Sequence, residues 1–476
     1  MSTTLKIAFA EIKRNRRERS FLISIILIAG LSLFAVYGAA KAYQSQLSER
    51  TKANQLMRNK FLGQGEVNPH NAAHYGHYVY KPLSFFSVFD AGIERYTGSS
   101  IRLEAHKQND GRFLESQQFS ALGRYGSLSF ALMLQLILPL LLIFITHETI
   151  AGEKNRGTLK MMLAQGIKTS SLIRGKVLGL LMIALTFLLG SFFVFFLFGQ
   201  LSGFSNEIPN FSFRVLLLFT SYGAYYFFLI SITTLLSARS SNLNITLICS
   251  ISIWFVFSIL IPRLAADIGE QLYPLPSRSE FQAAIIEDTK NGLNGHDPRN
   301  KRTEEVMANI LKKYKVHSAS QLTVNADGIL MQEDENYHNL VFDKHFAALK
   351  QKMDAQNSVS SKLSLINPFL ALRNLSMSIS ITDPASYFQF KQSAEMYRRF
   401  LIKKLNDEFA YGGAKNGDFE WKVKSDYWKG ISDYQFKYPS INSLLKNSAY
   451  EIYAMLIWLV LSLYLLSLSS KTINLS

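Results

Sequence analysis

The chain has 476 residues, 48% of them hydrophobic, a formal net charge of +16 and one cysteine, Cys249. A single cysteine excludes an intrachain disulfide, so any folded part outside the membrane must rest on its own core. The basic excess lacks the interleaved aromatic and basic residues of a nucleic-acid surface, and no nucleic-acid partner is expected.

Residues 1–20 read as a basic amphipathic helix. Leu5, Ala8, Phe9 and Ile12 share one face, and Lys6, Lys13, Arg14, Arg16, Arg17 and Arg19 crowd the rest. Such a helix lies in the headgroup layer, and a plain positive-inside anchor would look the same. Either places the N-terminus in the cytoplasm. The long basic region and long first apolar run do not fit a cleavable signal. Apolar runs of about 20 residues then recur, each long enough at about 1.5 Å per residue to cross a membrane. They fall at 21–42, 127–147 (with Pro139 as an expected kink), 177–198, 213–237, 243–262 (ending at Pro262-Arg263) and 448–470.

Two long polar inserts separate these spans, at 43–126 and 263–447. The second is expected to be helical, with helical periodicity over Phe281–Thr289, Thr303–Tyr314, Tyr337–Met353 and Phe388–Phe409. Gly292 to Gly295 and Asp297-Pro298 break it. The short loops assigned to the cytoplasm hold Lys154, Arg156, Lys160, Lys168, Arg174, Lys176 and Arg239, whereas the loop 199–212 holds only Glu207. The expected fold class is therefore an all-α polytopic membrane protein. It has six transmembrane helices, both termini cytoplasmic, and a mainly helical extracytoplasmic domain built from the two inserts.

Three groups of residues invite a chemical reading. The segment 148–176 is short, basic and rich in small residues. Gly175-Lys176 is followed by Val177, and no strand precedes it, so the phosphate loop G-x-x-x-x-G-K-[ST] is absent and the chain is expected to bind no nucleotide or other cofactor. His70, His74 and His77 would share one face of a helix, where imidazoles can hold a transition metal. Gly76 interrupts that helix, and packing within a polar domain is the competing reading. In the fourth span, Tyr222, Tyr225, Tyr226 and Thr233 form a stripe that either lines a polar path or bonds neighbouring helices. Arg214, Arg263 and Glu451 sit at span ends and read as interfacial. No Ser-His-Asp or Cys-His arrangement suggests an enzyme.

The stretch His147–Lys176 resembles the connection after the second span in ABC-2 type transporter permeases. The matching residues are Glu148, Glu153, Lys154, Arg156, Gly157-Thr158-Leu159, Met162-Leu163-Ala164 and the distal Gly175-Lys176. Residues 1–20, with Glu11 and the arginines, resemble that family's elbow helix. Asn68-Pro69-His70 to Lys81-Pro82, Asn367 to Arg373, and Ala394-Glu395-Met396-Tyr397-Arg398-Arg399 resemble a subgroup with a large extracytoplasmic domain of unknown function. Met161-Met162, where the family favours leucine, is a departure. The resemblance implies a non-catalytic membrane subunit, as a homodimer or heterodimer in the inner membrane, coupled to a separate ABC ATPase that holds ATP and magnesium. It implies that Glu148, Glu153, Arg156, Gly157, Thr158, Leu159, Met162, Leu163, Gly175 and Lys176 meet or transmit that partner's push. Leu159, Met162 and Leu163 would enter a groove on the partner. The function implied is export. A complex that moves the outer domain without transport is the alternative, and a metal-dependent role of the outer domain is a third.

Overall fold

The computed structural model describes residues 2–114, 129–201, 208–471 and 473. The start expected for the second span, the end of the first insert and Glu207 lie outside these residues. The fold is dominated by helices, and six are long and apolar enough to cross a membrane: Phe21–Leu62, Phe130–Asn155, Thr169–Leu201, Phe211–Arg239, Leu243–Leu272 and Ala449–Lys471, called spans 1 to 6. The protein is therefore a multi-pass membrane protein.

The outlying elements follow in chain order. Helix α1 (Thr3–Arg17) precedes span 1. The first insert holds α2 (Pro69–Tyr75) and strands β1 (His77–Tyr80), β2 (Gly98–Glu104), β3 (Lys107–Gln108) and β4 (Arg112–Leu114). Span 2 closes with α3 (Glu148–Asn155), and α4 (Thr158–Ala164) leads towards span 3. The second insert holds α5 (Arg278–Asn291), α6 (Arg299–Tyr314), α7 (Ala326–Leu363), α8 (Pro368–Ile379) and α9 (Pro384–Tyr411).

The small antiparallel sheet is an addition to the helical expectation. β1 pairs β2 with Val79 opposite Ile101 and His77 opposite Leu103, and β2 also pairs β3 and β4. Alternation explains it: buried Val79, Ile101 and Leu103 pack on Phe390 and Ala394 of α9. The two inserts thus share one core and form one domain.

Several ends differ from the sequence reading. The helix of span 1 runs unbroken from Arg19 to Leu62, 44 residues. At about 1.5 Å per residue that is about 66 Å, roughly twice a hydrocarbon core, so its second half stands out in the first insert. No glycine or proline interrupts residues 42–62, and the helix stops at Gly63. Span 3 begins at Thr169. Span 5 does not end at Pro262 but continues to Leu272.

The prolines are accommodated by one device. Each follows a π turn, Met133–Ile137 before Pro139 and Val256–Leu260 before Pro262. Leu138 N–H donates to Met133 O and Ile261 N–H to Val256 O, a spacing of five. The next donor in each register would be the proline, which has no N–H, so the carbonyls of Leu134 and Phe257 are orphaned. A side chain from another element fills each gap. The Tyr226 hydroxyl donates to Leu134 O at 2.8 Å, and Asn367 Nδ2 donates to Phe257 O at 2.8 Å. In an apolar interior such a repair is needed for the helix to continue.

Two pieces of the inserts turn back among the spans. Phe85, Phe86 and Phe89 of the first insert are buried against Phe192, Phe195, Phe211 and Tyr222, with ring centroids 5.0–5.6 Å apart. Helix α8 is almost wholly buried against spans 4 and 6. Arg214 is not interfacial, as its place at a span end suggested. It is fully buried and donates to the carbonyls of Pro209, Ile379 and Pro439 at 2.8–3.1 Å, tying the end of α8 to span 4. Glu451 is buried too, near Asn374 at 3.4 Å, while Arg263 is exposed but lies within the span 5 helix and not at its end.

Candidate functional site: the coupling junction, the span interior and a histidine cluster

The junction is built where α1 crosses span 3. A Cβ at Gly175 would lie 2.6 Å from the Ile7 Cβ, and one at Gly179 2.7 Å from Ala8 O. Two glycines four residues apart therefore let the helices touch backbone to backbone. Beside them lies a cluster of buried charges. Lys176 donates to Glu11 at 3.1 Å and to Glu153 at 2.8 Å. Arg14 pairs with Glu11 and lies 3.4 Å from Glu153, and Arg156 approaches Glu153 at 3.8 Å. Thr158 donates to the Glu153 carboxylate, holding the start of α4 on the end of α3. Three elements far apart in sequence thereby meet at one ion cluster.

Span 4 grips the same segment. The Ser237 hydroxyl donates to His147 O and accepts from Ile150 N–H and Ala151 N–H, filling the gap where the span 2 helix breaks. Lys154 donates to Ala238 O at 2.7 Å, at the negative end of span 4. Glu148 is half-buried and near His147 at 3.9 Å.

The orientation of α4 corrects the sequence reading. Leu159 is 1% exposed, and Met162 and Leu163 pack against the same core of spans. Leu159 thus faces the chain's own bundle, and Met162 and Leu163 are half-buried against it. Arg156, Gly157, Lys160, Met161 and Ala164 are the exposed face, with Met161 63% exposed. Gly157 occupies the left-handed turn between α3 and α4 at φ 72°. Gly175 and Lys176 likewise meet α1 and the ion cluster instead of a surface.

The tyrosine stripe does not line an open path within this chain. Tyr222, Tyr225, Tyr226 and Thr233 are all buried. Tyr222 accepts from Gln135 at 2.8 Å and lies 3.2 Å from Ser376, which donates to Asp90. Tyr226 repairs span 2, as described, and the Tyr225 hydroxyl has no hydrogen-bond partner among the described residues. Tyr222 and Tyr226 therefore bond span 4 to span 2 and to the returning helix α8.

The histidines regroup. His70 and His74 share a face of α2, with Nε2 atoms 2.9 Å apart. His77 does not join them. Gly76 turns the chain with φ 79°, where a Cβ would strike Arg102, between the end of α2 at Tyr75 and the start of β1 at His77, so His77 lies off the helical face. His77 packs on Phe61 instead, and burial pushes its imidazole down to about 4. The third member is His106, whose ring lies 5.2 Å from His74 and 6.3 Å from His70. His338 stands 5.4 Å beyond it. Burial, then the neighbouring histidines, push His70 down to about 4. Burial would raise the Glu335 carboxyl, but His106 and Arg398 outweigh it and hold it at about 2. Sequence reading could not find this grouping, because His106 and His338 stand 32 and 264 residues beyond His74 with no motif between.

These elements make a multi-pass helical membrane protein in which α1 is locked to the broken connection between spans 2 and 3 and the two inserts form a further domain. Comparison with known families agrees. Residues 109–260 match the ABC-2 family transporter protein, and residues 278–437 match a domain of unknown function, DUF3526. The two matches together are consistent with an ABC-2 type permease that carries an extra domain between spans 5 and 6. The family implies an ABC ATPase partner and a non-catalytic membrane subunit. No curated protein matches the chain.

Proposed function

We propose that the chain is the membrane subunit through which a separate ABC ATPase drives export. The observation that carries this reading is the ion cluster of Glu11, Lys176, Glu153 and Arg14, which locks α1, α3 and span 3 together while leaving Arg156, Lys160 and Met161 exposed beside it. A partner pressing on that exposed face would move α1 and span 3 as a unit. In this reading the junction and both termini are cytoplasmic, the domain of the two inserts is extracytoplasmic, two permease subunits pair in the inner membrane, and ATP with magnesium sits on the ATPase. This chain catalyses nothing itself. The test is purification of the tagged full-length chain from native membranes. An ABC ATPase should accompany it, and Arg156→Glu with Met161→Glu should release the ATPase from a folded permease. No associated ATPase on the parent chain overturns the reading.

A second reading has its own support. Spans 1 and 5 continue as helices beyond the length a membrane needs, into or towards the outer domain. Such rods suit a complex in which ATPase strokes move the outer domain to regulate an envelope protein. ATP-dependent protease exposure of residues 278–437 with no solute released from reconstituted vesicles would favour it over export.

A further inference from the structure

We propose that the domain of the two inserts binds a first-row transition metal ion, zinc or a chemically similar divalent ion, at His70, His74 and His106. The donor atoms of these three side chains all lie within 4.8 Å of one another. A four-coordinate ion with bonds of about 2.0–2.1 Å sets its ligand nitrogens about 3.4 Å apart, so side-chain rotations of about 1 Å close the site. Three imidazoles without a coordinating carboxylate suit zinc, copper or nickel and disfavour magnesium and calcium.

The surroundings are built to aim these rings. Asn68 caps α2 by accepting from His70 N–H at 2.8 Å, and the helical spacing sets the His74 ring edge-on to that of His70. Ala105 N–H donates to Ala73 O at 3.0 Å, pinning the β2–β3 turn beside that helix. His106 occupies this turn with φ 61°, a left-handed conformation unusual for histidine. The turn is held there by Glu335, which accepts from His106 N–H at 2.8 Å and lies 3.2 Å from His106 Nδ1. Glu335 is itself buried and paired with Arg398. A carboxylate behind one ring nitrogen leaves the other free for a metal, the arrangement seen around histidine ligands generally.

The site is reachable. His74 is exposed, and His106 and His338 line a cleft of about 660 Å³. The fourth coordination position is left to solvent or an exchangeable group, which is the pattern of a working site and not of a closed structural one. Bound metal would join α2 to the β2–β3 turn, which α7 supports from the second insert. This inference stands whether or not the spans export anything.

The experiment uses the full-length protein in detergent, stripped with a chelator, loaded with zinc chloride and freed of excess. Metal content is read by mass spectrometry and affinity by competition with a chromophoric chelator, with cobalt as an optical probe of the ligand set. The expected result is about one zinc per chain. His74→Ala and His106→Asn (Asn tolerates the left-handed turn) should each weaken binding about tenfold or more, whereas His77→Ala should leave it unchanged. His74 is exposed, so its variant keeps the fold, and circular dichroism checks the others. A parent chain retaining under about a fifth of an equivalent, or a His77→Ala loss equal to the other two, overturns the proposal.

Discussion

Lys176→Met tests whether the junction is a single locked unit. The ammonium lies 2.8 Å from Glu153 and 3.1 Å from Glu11, and Lys176 and Glu11 are each 3% exposed. At an effective dielectric of about 20, each pair attracts by about 5 kcal/mol, much of it offset by the cost of burying the charges. Removing the lysine alone spares only its own desolvation. It leaves two buried carboxylates facing each other with Arg14 as their main counter-charge. The expected loss is about 3–5 kcal/mol of stability. Adding Glu11→Gln removes one uncompensated charge and should recover about half of that loss. The assay is an equilibrium SDS titration of the protein in mixed micelles, followed by circular dichroism. Two results would refute the reasoning: a Lys176→Met chain within about 0.5 kcal/mol of the parent, or a double variant no more stable than the single one. With the ATPase attached, Lys176→Met should also lower work output more than ATP turnover, because the partner still docks but the push is not passed to span 3.

The remaining predictions concern residues that the structure reoriented. Met161→Glu should cut ATPase association about tenfold, equivalent to about 1.4 kcal/mol, with unchanged stability, while Leu159→Ala should cost about 2–5 kcal/mol of stability through a core cavity; pull-down and unfolding on both variants decide, and interchanged effects sink the orientation of α4. Tyr226→Phe orphans the Leu134 carbonyl again and should cost about 1–3 kcal/mol in the same titration, whereas Tyr225→Phe removes an unpaired hydroxyl and should cost nothing measurable. His77 governs part of the acid sensitivity. Its folded value of about 4 lies below the ordinary 6.5, so the unfolded chain takes up the proton first. The contribution is complete above pH 6.5 and is lost as pH falls from there towards 4, about 3 kcal/mol at about 1.4 per unit. His77→Phe, beside Phe61, should flatten that limb, and identical pH profiles for parent and variant would show the assignment to be wrong.

Apolar run length and helical periodicity determined a good deal. Backbone groups in a membrane must satisfy one another, so any run of about 20 apolar residues is committed to helix before it meets a neighbour. That is why the number and order of the spans, the amphipathic α1 and the helices of the second insert were legible, and why Glu148 to Lys176 stood out between two spans. Helix ends were less so. A polar stretch such as residues 42–62 reads the same whether it continues a helix or begins a loop, and a proline ends a helix only if nothing repairs the carbonyl it orphans. Whether Tyr226 and Asn367 are present at Leu134 and Phe257 is a fact of tertiary packing. The same holds for function. Helical periodicity placed His70 with His74, but only the fold could exchange His77 for His106, because ligands from different elements carry no spacing signal. Periodicity also gave α4 an apolar face without saying which body it faced. The structure turned Leu159 inward and left Met161 outside, because the nearest apolar surface was the chain's own bundle, locked to α1 by Gly175, Gly179 and the charges of Glu11, Glu153 and Lys176.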